Sequence, residues 1–332
     1  MGVVACCGNE AQIQDLNNQI LFGQSDSGTN DEKEYKDGFS SKIQKDKFVK
    51  IKLNFEKSLE DQAEFITEKL FEEIMEKSNK YISNIDFPKE IENAEVPNSF
   101  ISPPIKFENG EIYKGSWNIK NQKHGLGINI NPDGTLYKGL WDNGKIGNYG
   151  LFLEENGNYY KGELKDGKFE GKGEIKMKDY KYTGDFSEDL PDGKGYLEDY
   201  TKGFKYTGDM VKGKKEGNGV LEYNDGTIYE GEFKNDLYDG KGVLKFQNRQ
   251  YEGEFKEGKI KGNGKFIWED GTIYEGEYDY FMKNGNGKFS WNDNKYYEGQ
   301  WFNNRQHGKG KIFLDGKEVE GIFRFGKIIK GS

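Results

Sequence analysis

"GNGVLEYNDGTIYEGEF", residues 217–233, decides the fold of this chain. Leu221 and Tyr223 alternate with Glu222, Asn224-Asp225-Gly226 supplies a turn, and Tyr229, Gly231 and Phe233 alternate with Glu230 and Glu232. Period-two patterning on both sides of Asn-Asp-Gly predicts a β-hairpin. Alternate side chains of a strand share a side, so Tyr229, Gly231 and Phe233 line one face. The glycine leaves a notch between two rings, expected to receive a neighbouring hairpin's side chain. The opening Gly-x-Gly, repeated as Gly125/Gly127 and Gly308/Gly310, is expected to mark the bend where one hairpin hands over to the next.

Outward from this stretch the same phrase returns. Tyr-x-Gly occurs at Tyr113, Tyr137, Tyr160, Tyr182, Tyr206, Tyr229, Tyr251, Tyr274 and Tyr297, at intervals of 22 to 24 residues, and a tenth copy has Val319 in place of Tyr. The glycines are Gly115, Gly139, Gly162, Gly184, Gly208, Gly231, Gly253, Gly276, Gly299 and Gly321. The second aromatic is Trp117, Trp141, Phe186, Phe233, Phe255, Tyr278, Trp301 or Phe323, with Leu164 and Met210 as departures. One hairpin alone is marginal in water, so stability must come from stacked neighbours. The expected fold is mainly β: an elongated, twisted antiparallel sheet of about ten stacked hairpins, with a short α-helical N-terminal region.

Tyr-x-Gly-x-(Trp/Phe) followed by Gly-x-Gly, recurring in phase over residues 107 to about 326, resembles the membrane occupation and recognition nexus (MORN) repeat. The resemblance implies a scaffold working at membranes, in cytoskeletal assemblies or in cilia. Some relatives fuse the repeats to a lipid-kinase or methyltransferase domain, which is not expected in a chain that ends at Ser332.

Composition agrees with a thin, aromatic structure. Hydrophobic residues are 33%, charged residues 32% and aromatics 15%, with 46 glycines in 332 residues. Such an aromatic content is too high for a disordered chain. No apolar run approaches the ~18 residues of a membrane-spanning helix, and no signal peptide is visible. Residues 1–104 hold 12 Lys/Arg against 20 Asp/Glu, leaving 37 against 38 in residues 105–332. Nucleic acid is therefore not an expected partner, because its phosphates demand a cationic footprint. Lys172, Lys194, Lys241, Lys265, Lys288 and Lys309 recur near the Gly-x-Gly steps and read as solubilising guards rather than a lipid site.

Three regions are expected: a largely disordered tail (1–47), a strand, helix and Pro-containing linker (48–104), and the repeats (105–332). Val49, Ile51, Leu53 and Phe55 alternate as a strand, and Ser58-Leu-Glu-Asp61 resembles a capping box opening a helix to about Ser83. Its expected apolar stripe is Leu59, Ala63, Ile66, Leu70 and Ile74, widened by Phe71 and Met75, and it is expected to cover the end or face of the sheet.

At the N-terminus, Gly2 followed by small residues resembles an N-myristoylation site, although Cys6 stands where Ser or Thr is usual. One myristoyl chain anchors only marginally, so palmitoylation of Cys6 or Cys7 would supply the second signal. The expected location is the cytoplasmic side of a membrane, plasma or ciliary, or alternatively a ciliary axoneme or the cytoskeleton.

Chemistry is not expected. The adjacent Cys6 and Cys7 build no metal site within one chain. His124 and His307 precede Gly-x-Gly in a slot that elsewhere holds Glu170, Asp192, Glu216, Asp239, Lys261 and Asn284, which reads as a solvated loop position. No Gly-Lys is followed by Ser or Thr, so no phosphate-binding loop is present. The alternating Glu230/Glu232 type of pair lines the solvent side rather than a cleft. The reading is of a scaffold that is not an enzyme, with no cofactor, no catalytic residue and no metal. Protein partners, a membrane held through acyl chains and self-association by edge strands are expected, with aromatic and edge surfaces presented to the partners. The alternatives are a part of a radial-spoke-like complex or a phosphoinositide- or enzyme-recruiting module.

Overall fold

A computed structural model describes residues 63–93 and 96–331. Among the described residues, twenty-three strands pair antiparallel as successive hairpins, with helices at Glu68–Ile82 and Lys89–Glu92. The described residues divide into two compact units, 63–202 with 210–214, and 203–209 with 215–331.

The hairpin read from residues 217–233 is present. Strands Lys214–Tyr223 and Ile228–Lys234 pair antiparallel with Leu221 opposite Tyr229 and Gly219 opposite Gly231. The turn closes because Tyr223 N–H donates to the Thr227 carbonyl at 2.8 Å, while Asp225 Oδ1 accepts from Thr227 N–H at 2.8 Å. Gly226, at φ +86°, takes the left-handed conformation that a side chain resists.

The bends between repeat units lie elsewhere than expected. Gly-x-Gly sits inside strands, and the bend falls after the second aromatic, in a two-residue turn such as Asn235-Asp236 at φ +49° and +72°. Glu188-Asp189 and Asn303-Asn304 repeat it. Two consecutive positive φ values give the turn whose twist matches paired strands. The first glycine of each Gly-x-Gly, for example Gly240 at φ +111°, instead accommodates a bulge between Gly231 and Phe233.

The N-terminal helix begins later than the expected Ser58 capping box, which lies outside the described residues. Thr67 caps it, its Oγ1 accepting from Leu70 N–H at 3.2 Å. Ala63–Phe65 is a strand paired with Ile105–Phe107, and Ile66 N–H donates to the Pro104 carbonyl. Backbone pairing to a sheet edge outweighs the local helical pattern there. The stripe is corrected accordingly: Phe71 and Met75 are buried, while Leu70 is 43% exposed and Ala63 lies outside the helix. The linker also contributes structure, since Ser99–Ile101 pairs with Ser116–Asn118 along the edge of the first repeat.

Candidate functional site

The two faces of the sheet have different fates. On the first, every repeat tyrosine is at most 1% exposed. Each hydroxyl donates to the carbonyl three residues on, as Tyr229 Oη does to Glu232 at 2.9 Å and Tyr297 Oη to Gln300 at 2.9 Å. The second aromatics stand edge-on to these rings within and between repeats. Tyr229 meets Phe233 at 5.1 Å and 87°, and Phe255 at 5.2 Å and 89°. Such edge-to-face pairs add about 0.5–1.5 kcal/mol each beyond area burial.

Trp117, Trp141, Phe186, Phe233, Phe255, Tyr278, Trp301 and Phe323 are all buried, and Leu164 and Met210 are buried in the same slot. The aromatics are thus spent on internal stacking, and the expectation that they present a surface to partners is corrected. The notch is corrected too. A Cβ at Gly231 would lie 2.5 Å from the Gly242 Cα and 2.7 Å from the Tyr229 hydroxyl. The notch is filled by the strand's own tyrosine, two residues earlier, lying across its own glycine and the glycine of the paired strand.

Two sets of polar side chains, expected from the sequence to be merely solvated, instead hold the irregular backbone. In six repeats the residue after the repeat glycine caps the bulge: Glu232 accepts from Lys241 N–H at 2.8 Å, Asp185 from Lys194 N–H at 3.0 Å and Gln300 from Lys309 N–H at 2.9 Å, with Glu163, Asp209 and Glu277 in the same role. The slot shared by the two histidines is half-buried within strands and caps the two-residue turns. Glu216 accepts from Asn235 N–H at 2.8 Å, Asp192 from Lys212 N–H at 3.2 Å, and the His124 Nδ1 from Asn143 N–H at 3.4 Å. The signal for both sets was in the sequence as a run of acceptors at fixed offsets. Their targets emerge only with the register.

Lysine enters the aromatic face at Lys123, Lys215 and Lys283. The Lys283 Nζ lies 4.7–5.4 Å from the rings of Phe289, Trp301, Trp268 and Tyr274, and burial pushes its pKa down to about 8. A depressed ammonium pKa is a stability penalty present in full below pH 8, relieved as pH rises toward 10.5. Lys283→Met is therefore expected to stabilise the chain at pH 7 by about 1–3 kcal/mol and to flatten its stability between pH 8 and 10.5. Urea unfolding across that range checks both.

The opposite face is where the units differ. Over the first repeat strands of the first unit, from Ile112 to Leu153, it is apolar and covered, and beyond them it turns polar at Lys161, Glu174 and Thr183. Phe71 and Met75 of the helix, with Phe87, pack on Ile112, Ile130, Leu136, Leu151 and Leu153. Lys114 Nζ reaches Glu68 at 2.6 Å and Glu72 at 3.8 Å, and Lys138 pairs with Glu92. In the second unit the matching face carries a cross-strand ladder: Glu252 opposite Lys265, then Glu275, Lys288, Glu298, Lys311 and Glu320 in turn. Beside the ladder runs a trough of about 1700 Å³ floored by Gly253, Gly264, Gly276, Gly287, Gly299 and Gly310, with Lys309 on its far wall. Because a tyrosine occupies the other side of each glycine pair, the floor is bare backbone.

Among the described residues no group of His, Cys, Asp or Glu is arranged to hold a metal, and no helix is long and apolar enough to cross a membrane. Gly2, Cys6 and Cys7 lie outside the described residues.

Hairpins stacked through ring and glycine, with one face consumed and the other shaped as a trough, define a repeat scaffold. The model of the MORN repeat matches residues 113–136, 160–180, 182–201, 206–228, 229–250, 251–273, 274–296 and 297–317, and the chain belongs to that family. The family is generally a non-catalytic scaffold for protein or membrane interaction. No curated protein matches the chain closely enough to serve as a relative. A solved structure titled as a streptogramin B lyase is similar over 68% of this chain and 94% of its own, at 14% identity and a TM-score of 0.11, a likeness that carries no argument.

Proposed function

We propose that this chain is a non-catalytic scaffold held at the cytosolic face of a membrane by acyl groups on Gly2 and on Cys6 or Cys7, where its repeats assemble protein partners. The carrying observation is the division of labour between faces: stacking consumes the aromatic face, and no described segment covers the trough face of the second unit. The sequence Met-Gly-Val-Val-Ala-Cys-Cys supports the tether, since it offers two acylation signals where one would bind only marginally.

Membrane fractionation of the full chain tests the tether. Wild type is expected to pellet through a high-salt wash and to leave only with detergent, whereas Gly2→Ala and Cys6→Ser/Cys7→Ser shift to the soluble fraction. Pelleting of Gly2→Ala at the wild-type level ends the tether reading. Release of wild type by salt alone points instead to a cytoskeletal or ciliary assembly.

A further inference from the structure

We propose that the trough of the second unit is the docking site for an amphipathic helix of a protein partner whose facing residues alternate between acidic and basic, one charge per helical turn. This rests on the scaffold reading and names the surface and the partner chemistry.

The first unit shows what this face of the repeat accepts. There the chain's own segment lies across the strands, with Phe71 and Met75 on the apolar positions and the acids Glu68, Glu72 and Glu92 meeting Lys114 and Lys138. The middle position of Tyr-x-Gly that supplies those lysines is Lys114, Lys138 and Lys161 in the first three repeats. It becomes Glu230, Glu252, Glu275, Glu298 and Glu320 in the last five. The opposing strands contribute Lys265, Lys288 and Lys311, so the wall alternates in sign. A purely acidic or purely basic helix would meet a like charge at every second strand.

Two residues along the strands from the ladder, on the side away from the glycine floor, runs a row that is apolar in two pairs separated by Ser290 and ended by Gln250 and Glu318. Ile267 faces Ile273, and Tyr296 stacks on Phe313 at 5.2 Å and 14°. These positions correspond to Ile112, Ile130, Leu136 and Leu153, which the helix covers in the first unit.

Spacing favours a helix over an extended peptide. Strands are about 4.8 Å apart and a helix advances 5.4 Å per turn, a mismatch that flexible Lys and Glu side chains absorb over six or seven strands. An extended peptide repeats each face every ~6.6 Å and falls out of step after two strands. Bare glycine backbone lets the helix sit close.

The test is fluorescence anisotropy of labelled helical peptides of roughly 22 residues, about six turns, titrated with the full chain. Three peptides share one apolar stripe and differ in their flanking charges: alternating, all acidic or all basic. The alternating peptide is expected to bind at least about tenfold tighter than the other two, the ratio that about 1.4 kcal/mol of differential pairing gives. In Glu275→Lys/Glu298→Lys, checked for folding by circular dichroism, the preference moves to the acidic peptide. In Glu257→Lys/Glu269→Lys, which makes the same charge change at the turns, it does not. Equal binding of all three peptides overturns the proposal, as does the same shift in the turn variant. Displacement of the alternating peptide by vesicles containing phosphatidylinositol bisphosphate also overturns it, because it assigns the trough to a lipid headgroup. Failure here leaves the acyl tether untouched, since fractionation reads that separately.

Discussion

Raising the pH from 10 to about 11 is expected to unfold most of the sheet. Tyr113, Tyr137, Tyr160 and Tyr182 in the first unit, and Tyr229, Tyr251, Tyr274 and Tyr297 in the second, all have pKa values pushed above 10 by burial, with Tyr297 at about 12. A phenol whose pKa is higher in the folded than in the unfolded chain contributes stability in full below pH 10. That contribution is lost as the unfolded chain ionises alone. One pH unit above 10, ionisation favours the unfolded chain by about 1.4 kcal/mol per ring. Four rings per unit therefore cost about 5–6 kcal/mol, a large share of a domain's marginal stability. Urea midpoints from circular dichroism, set beside tyrosinate absorbance, check it. Early tyrosinate formation with the fold intact would show the rings to be accessible and would refute the stacked face.

The second large effect concerns glycine. Gly231→Ala and Gly242→Ala are each expected to cost about 3 kcal/mol, lowering Tm by roughly 10 °C. A Cβ at Gly242 would stand 2.5 Å from the Tyr229 hydroxyl and 2.6 Å from two of its ring carbons, and the ring is pinned by its hydrogen bond and by Phe233 and Phe255. Gly226→Ala, in the turn of the same hairpin, meets no atom within 4 Å and costs only about 1 kcal/mol, for its φ of +86°. Thermal melts of the three variants check the order. Equal losses would mean that the glycines serve chain flexibility rather than ring contact.

Both predictions come from parts of the molecule that the sequence made legible to different depths. The 23-residue period and the hairpin over 217–233 followed from local spacing alone, because a turn with Asp225-Gly226 and period-two alternation are properties of a few adjacent residues, and the resemblance to the MORN repeat is carried by the same motif. The same spacing named the rings and glycines. It could not say that Tyr229 fills its own strand's notch, that Glu232 caps a bulge at Lys241, or that Glu216 caps a turn at Asn235, since each needs the register between strands. The helix starts later than the local pattern implies because Ala63 and Ile66 fit an apolar stripe locally, yet Ile66 N–H donates to the Pro104 carbonyl and Ala63 pairs with Phe107 in the sheet.

What the sequence by itself determined is the unit: which residues alternate, where they repeat and which of them are rings. What only the tertiary structure decided is the use of each face. Rings bury against one another wherever strands pair, so that face closes in both units. The other face is covered by the chain's own helix over the first repeat strands of the first unit. In the second, whose positions alternate Glu and Lys, no described segment of the chain covers the trough.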